Sequence, residues 1–213
     1  MPRSSRSTHF GSIGVRTPLV TPGLRIGVMG GSFNPPHEGH TLVAATALKR
    51  LRLDQLWWVV TPGNPLKSNG VLAPLVARMD ACRKLARDPR MRVTAFEAEL
   101  GTPYTAATLA FLRCRYPAVT FIWVMGADNL ATFNRWQDWR KIARTLPIAV
   151  VDRPGWRLKA LASPAAHALA RMRSTEAGAS RLGRRGEPAR WTLLSTRLSE
   201  ASSTRMREQS GPA

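Results

Sequence analysis

The sequence is short of acid. Only 13 Asp and Glu stand against 32 Lys and Arg in 213 residues, a formal charge of +19, and the first acidic side chain is Glu38. Lysine is scarce as well: Lys49, Lys67, Lys84, Lys141 and Lys159 are the whole set, so the excess is arginine, scattered through every segment. A surplus of this sign makes polyanions natural partners, whether nucleic acid, acidic membrane or phosphorylated small molecules. The scatter points instead to plain arginine-rich composition, and only specific motifs can break that tie. The two cysteines, Cys82 and Cys114, lack a CxxC partner, which argues against a disulfide framework and makes the reducing cytosol the expected compartment. No apolar run approaches the roughly 18–20 residues that span a bilayer. The longest, around Phe121-Ile122-Trp123-Val124-Met125, is strand-sized. Internal repeats and a heptad seam are also missing. What is present is 44% hydrophobic and 21% charged residues, enough apolar matter for a core, which excludes wholesale disorder.

The acid-free leader carries Arg3, Arg6 and Arg16 among serines, a composition mildly like a transit peptide, but Pro2, Pro18 and Pro22 break any amphipathic helix there. Residues 1–24 are read as a disordered basic extension. From Arg25 onward, short β-branched runs alternate with longer amphipathic ones, the pattern of βα units around a parallel sheet. Strands are predicted at Ile26–Met29, Leu56–Thr61, Arg92–Phe96, Val119–Met125, Ile148–Val151 and Trp191–Leu194. Helices are predicted over about 39–52, 74–88, 105–115, 128–145 and 156–172, the third capped by Thr105 and stopped by Pro117. Runs such as Trp57-Trp58-Val59-Val60 must be covered on both faces. The expected fold is therefore α/β, a doubly wound, Rossmann-like parallel sheet with helices on both faces, in one domain over 25–208. Residues 173–190, rich in Gly and Arg, read as an excursion or mobile loop, a last short helix starts near Ser202, and 209–213 form a tail.

The most informative segment follows the first strand: Gly30-Gly31-Ser32-Phe33-Asn34-Pro35-Pro36-His37-Glu38-Gly39-His40. In an open α/β sheet the carboxyl end of the first strand borders the ligand crevice. Two glycines remove side chains where a phosphate could approach backbone N–H groups, and the next helix offers its positive end to an anion. The segment is neither a Walker A nor a GxGxxG fingerprint. His37 and His40, three apart at a helix start, project from one face toward that turn. Imidazoles there can donate to phosphoryl oxygens and, when protonated, neutralise charge on a leaving pyrophosphate. A zinc site competes as a reading, but it needs a third ligand from His9, His167, Cys82 or Cys114, none clustered in sequence.

These residues resemble the GxFxPxHxGH signature of the nucleotidyltransferase superfamily related to the catalytic domains of class I aminoacyl-tRNA synthetases. Ser202-Ser203-Thr204-Arg205-Met206-Arg207 is similar to the SSTxxR element of those proteins. Asn64-Pro65-Leu66-Lys67, Pro103-Tyr104-Thr105-Ala106-Ala107-Thr108-Leu109, Gly126-Ala127-Asp128-Asn129-Leu130 with Trp136, and Arg153-Pro154-Gly155 resemble the bacterial nicotinate-nucleotide adenylyltransferase family. The resemblance covers about 25–208. Leu66 departs from it, standing where a His often precedes the lysine, and so does Ala201, where Ile or Val is usual.

The resemblance implies transfer of AMP from ATP to nicotinate mononucleotide, giving deamido-NAD and pyrophosphate. It implies that Gly30, Gly31, Ser32, Phe33, His37 and His40 hold the ATP phosphates, gripped from the other side by Ser203, Thr204 and Arg207. His37, His40 and Arg207 are then the catalytic set. Gly126 and Asp128 would take the adenosine, with simple N-capping as the alternative for Asp128. For the mononucleotide it implies Asn34, Lys67, Arg153, Trp136 as ring-stacking partner, and Tyr104-Thr105 as N–H donors to the nicotinate carboxylate. Trp136 has a bland alternative, because Phe133, Trp136 and Trp139 make a stripe at spacing three that suits a core. Lys67 and Arg153 have theirs, a solvated face. No protein metal site is expected; magnesium would accompany ATP, held mainly by phosphates and water. The expected partners are the two nucleotides, with neither nucleic acid nor membrane and with homo-oligomerisation left open. Adenylyl transfer to nicotinamide mononucleotide or phosphopantetheine, and a basic nucleic-acid-binding protein, are the rival functions.

Overall fold

A computed structural model of the chain describes residues 16–63, 72–101, 104–184 and 186–196. Its six strands, β1 (Arg25–Gly31), β2 (Gln55–Val60), β3 (Met91–Thr94), β4 (Thr120–Gly126), β5 (Ile148–Val151) and β6 (Trp191–Leu194), form one sheet in the order β3-β2-β1-β4-β5-β6. Every pairing is parallel. Alternate strand residues feed two cores. Val28, Trp57, Val59, Phe121, Trp123, Ile148, Val150 and Trp191 point into one, while Leu56, Trp58, Val60, Ile122, Val124, Ala149 and Val151 point into the other. Burial of both faces explains why these strands read as unbroken apolar runs.

Helices α1 (Glu38–Arg50) and α2 (Leu75–Leu85) cover the second core through Val43, Ala47, Leu48, Met79 and Cys82. The first core is covered by α4 (Thr105–Arg115), which follows the one-turn α3 (Glu97–Leu100), and by α5 (Ala127–Thr132), α6 (Trp139–Thr145), α7 (Arg157–Leu161) and α8 (Pro164–Ala168). The doubly wound architecture and all six strands thus stand as expected, β5 and β6 to the residue.

Two expected helices are broken. The stretch 128–145 divides into α5, a 3-10 turn (Phe133–Arg135) and α6, with Trp136 extended and Asp138 left-handed at φ 53°. Phe133 and Trp139 are both buried and meet edge to face at 5.8 Å. In a continuous helix, six residues at 100° each would turn their side chains about 120° apart, so the break lets one core take both. The stretch 156–172 breaks at Ser163-Pro164: Ser163 Oγ accepts from Ala166 N at 3.2 Å and Pro164 opens α8. Helix α4 keeps its bounds, but its N-cap is Tyr104 without a side-chain hydrogen bond, so Thr105 is the first helical residue and not the cap.

Residues 173–190 include a 3-10 segment, Glu176–Arg181; its Ala179 and the following Leu182 are buried. The Arg25 guanidinium donates to Ser180 O at 3.3 Å and Leu182 O at 3.0 Å. The described end of the leader follows a defined course too: Thr94 Oγ1 donates to Arg16 O at 2.8 Å, and Gly23 N to Ala118 O at 2.8 Å.

Candidate active site

The sheet splits at one place. Strands β1 and β4 pair from Arg25↔Thr120 to Val28↔Trp123 and then part. Beyond that point β1 stays with β2 as far as Gly31↔Val60, and β4 with β5 as far as Gly126↔Val151. The carboxyl ends of β1 and β4 therefore flank a crevice at the point where strand order reverses, the standard ligand position of an open α/β sheet. Its floor is aromatic. A Cβ on Gly30 would come within 2.7 Å of Trp123 Cη2, and one on Gly31 within 3.2 Å of the Phe33 ring, so ring packing is a sufficient reason for both glycines.

Beyond β1 the chain turns sharply, with Phe33 in the left-handed region at φ 47° and a cis Asn34-Pro35 peptide. The Phe33 ring is buried, stacked on Trp58 at 5.2 Å and tilted against His40 at 4.9 Å. Its side chain belongs to the core, which leaves its backbone as the part that a ligand could meet. Asn34 Oδ1 accepts from Ala73 N at 3.2 Å, committing that oxygen to the turn.

His37 and His40 close the N-terminus of α1 as a reciprocal cap. His37 Nδ1 accepts from Gly39 N at 3.1 Å, and His40 Nδ1 accepts from His37 N at 3.2 Å. Two imidazoles here do what a Ser and a Glu do in the usual capping box. An accepting Nδ1 puts the ring proton on Nε2, so each neutral ring offers an N–H donor at its far end. The ring centroids lie 3.9 Å apart. His37 is only 4% exposed, and burial first, the Arg153 charge second, push its pKa down from 6.5 to about 4. With that shift the ring at neutral pH is a hydrogen-bond donor and not a cation.

The opposite rim is charged. Arg153 Nη1 lies 3.5 Å from Asp128 Oδ2, the two side chains 14% and 31% exposed. A Cβ on Gly126 would collide with Asp128 Oδ1 and approach Arg153 Cδ at 2.9 Å, so the glycine makes room for this pair. Capping does not explain Asp128: the N-cap of α5 is Gly126, with no side-chain cap bond. Asp128 Oδ1 is buried without a hydrogen-bond partner among the described residues, an acceptor available to a ligand hydroxyl. That Arg153 bears on His37 shows that the two rims share one field.

Trp136 is half-buried and meets Trp123 edge to face at 6.3 Å and Phe133 at 5.5 Å, while Trp139 is core. Through Trp123, Trp136 is thus linked to Gly30. Tyr104, 39% exposed, and Thr105 head α4 on the other face of the sheet from α1. One turn on, Thr108 Oγ1 donates to buried Glu97 Oε1 at 2.6 Å, and burial raises the Glu97 pKa. Lys67, Ser203, Thr204 and Arg207 lie outside the described residues. Sequence reasoning missed Arg78, a 3% exposed cation on α2 that donates to Ser32 O at 2.7 Å and Thr61 O at 2.8 Å through Nη1, and to Ala73 O at 2.8 Å through Nε. The signal was there: Arg78 is four residues before buried Cys82, on the apolar stripe of α2, where a charge needs partners.

Among the described residues no group of three or more His, Cys, Asp or Glu could hold a metal ion, and no helix is long and apolar enough to cross a membrane. The sequence profile of the cytidylyltransferase-like family matches residues 28–209. A "Probable nicotinate-nucleotide adenylyltransferase" of Rhizobium meliloti (strain 1021) is 58% identical over 184 residues, 86% of this chain and 97% of that one. One of the same name from Bradyrhizobium sp. (strain ORS 278) is 54% identical over 188 residues, 88% and 97% of the two chains. Among solved structures, Plasmodium falciparum nicotinic acid mononucleotide adenylyltransferase complexed with NaAD superposes with a TM-score of 0.65 at 16% identity, covering 87% of this chain and 83% of that one. At that identity the likeness speaks for the fold.

Proposed function

The chain belongs to the cytidylyltransferase-like family, among the nicotinate-nucleotide adenylyltransferases, and on that premise we propose how its crevice transfers AMP from ATP to nicotinate mononucleotide in NAD biosynthesis. The nucleophile is the mononucleotide's own 5′-phosphate, ionised at neutral pH. Its oxygen bonds to the α-phosphorus of ATP as the bond from that phosphorus to the β-bridging oxygen breaks, and pyrophosphate leaves with the electron pair. No side chain need supply an electron pair or take a proton. The work left for the protein is in-line positioning and stabilisation of charge on the phosphoryl oxygens.

The observation that carries this reading is the pair of imidazoles 3.9 Å apart, both with Nδ1 engaged in the cap of α1. Their Nε2–H groups serve as preorganised donors to the phosphoryl oxygens of ATP, beside the backbone of Gly30–Phe33. The compensating charge is assigned to Arg153 and Arg207, with Ser203 and Thr204 as further donors. Asp128 orients Arg153 and offers Oδ1 to a ribose hydroxyl next to Gly126. Trp136 stacks on the pyridine, Tyr104 and Thr105 donate backbone N–H to its carboxylate, and Asn34 and Lys67 complete the mononucleotide side. Magnesium enters this scheme as part of the ATP complex, held mainly by phosphates and water.

ATP-dependent pyrophosphate release, measured in parallel with nicotinate mononucleotide, its amide and phosphopantetheine, tests the assignment. The acid should be the fastest by kcat/KM, with deamido-NAD as product. Preference for the amide or for phosphopantetheine would contradict it. Tight, steeply salt-dependent duplex binding without turnover would restore the nucleic-acid reading.

A further inference from the structure

Arg78 is the buried cation that the reaction as described does not use. Its guanidinium donates to backbone carbonyls on three separate segments: Ser32 in the turn after β1, Thr61 just past β2, and Ala73 ahead of α2. Thr61 N already donates to Gly31 O at 3.0 Å, the last rung between the two strands. Both hydrogens of Arg78 Nη1 then take the next two carbonyls, so the guanidinium extends the ladder where the strands run out. The bonds close into a ring, because Ala73 N donates to Asn34 Oδ1 at 3.2 Å. From Ser32 the circuit runs through Arg78 and Ala73 to Asn34, and so back to the turn. Inside it sits Phe33 at φ 47°, a conformation that an L-residue holds only when its surroundings over-determine it.

We propose that Arg78 is a positioning residue for adenylyl transfer: its guanidinium clamps the Gly31–Asn34 turn in the shape that presents backbone donors and the capped imidazole pair to the phosphates. For its effect on turnover this rests on the adenylyltransferase reading; the clamp itself does not. Arginine is required because a planar fork can serve three carbonyls at fixed angles, whereas a lysine ammonium cannot span them in that plane. An apolar replacement would bury three carbonyls with their donor removed. Slack in the turn would then move the donors out of line while leaving them in place for ground-state binding, so kcat should suffer more than KM.

Two variants, Arg78→Ala and Arg78→Lys, are to be compared with the wild-type chain by steady-state kinetics and by hydrogen exchange of peptides covering 30–36 and, as control, 148–151. For Arg78→Ala we expect a kcat reduced about 100-fold with each KM changed only a few-fold, and exchange over 30–36 at least about tenfold faster with the control unmoved. Guanidinium ion, on the order of 10 mM and far below denaturing levels, should partly refill the cavity and recover kcat, which methylammonium should not. Should Arg78→Ala fail to fold, Arg78→Lys carries the same two readouts with the same directions. Unchanged exchange over 30–36 in a folded variant, or a kcat close to wild type, would overturn the proposal. A wild-type chain without nucleotide turnover would instead defeat the functional reading, and exchange would still judge the clamp.

Discussion

The two rims of the crevice are built from opposite materials. On the β1 side the functional groups are backbone and imidazole, locked by hydrogen bonds that end inside the protein: the reciprocal His37–His40 cap, Ala73 N to Asn34 Oδ1, Arg78 to three carbonyls. Across the crevice stand Asp128 and Arg153, charged, part-exposed and paired at 3.5 Å. The first rim is suited to geometry and the second to charge. A reaction whose nucleophile is already ionised needs both, because aligned donors make the in-line approach possible and a cation offsets the charge of a phosphate and a triphosphate brought together.

The largest break in that comparison should come from His40. Its Nδ1 is part of the helix cap, so His40→Ala alone would mix catalysis with stability. His40→Gln keeps an acceptor at the third helical position, where Gln serves capping boxes, yet moves the donor. We expect it to melt close to wild type and to lose about 100–1,000-fold in kcat; a near-normal rate would remove the imidazole pair from the chemistry. A smaller effect follows from Trp136→Ala, which should raise KM for the mononucleotide by about tenfold, the worth of one stacked ring, and leave KM for ATP nearly alone. Equal damage to both would return Trp136 to the core that it shares with Trp123 and Phe133.

Smaller still is the pH signature of the locked rim. His37 is held down from 6.5 to about 4, so between those values the unfolded chain binds a proton that the folded chain does not. Stability from this source is present above about 6.5 and is lost as pH falls toward 4. His37→Asn keeps an N-cap acceptor but cannot titrate. Urea midpoints should therefore fall less steeply for His37→Asn than for wild type between those two pH values; parallel slopes would mean that His37 charges freely in the folded state. The finest test joins the rims: Arg153→Ala should let the His37 pKa rise, as read from its imidazole NMR signals, since Arg153 contributes to holding it down. An unmoved titration would mean that the charged rim does not reach the neutral one.

Much of this architecture was legible because parallel strands buried on both faces write themselves as apolar runs, which is why Ile148–Val151 and Trp191–Leu194 are found at their sequence-read bounds. The crevice was legible too, since a Gly-Gly turn followed by paired histidines can sit in few places on such a sheet. What failed were inferences in which tertiary packing outweighs local pattern. Phe133 and Trp139 share a core only because the chain breaks at Trp136–Asp138. Ser163-Pro164 is a helix-start signal set inside a longer amphipathic stretch, whose overall pattern masks it. Gly30 and Gly31 read as room for a phosphate, and the fold adds a reason that local pattern does not carry: a Cβ on either would meet Trp123 or the Phe33 ring. Arg78 is one arginine among many in a chain of charge +19, and only its carbonyl partners, which lie far off in sequence or outside the helix, set it apart.

The claim that the protein contributes position and charge, and no bond of its own, is tested most directly by the stereochemistry at phosphorus. ATP made chiral at the α-phosphorus by sulfur substitution, turned over with nicotinate mononucleotide, should give a dinucleotide inverted at that centre, as a single in-line displacement requires. Retention would contradict the account, for it would mean two displacements through an adenylylated side chain, with one of the histidines as the first suspect.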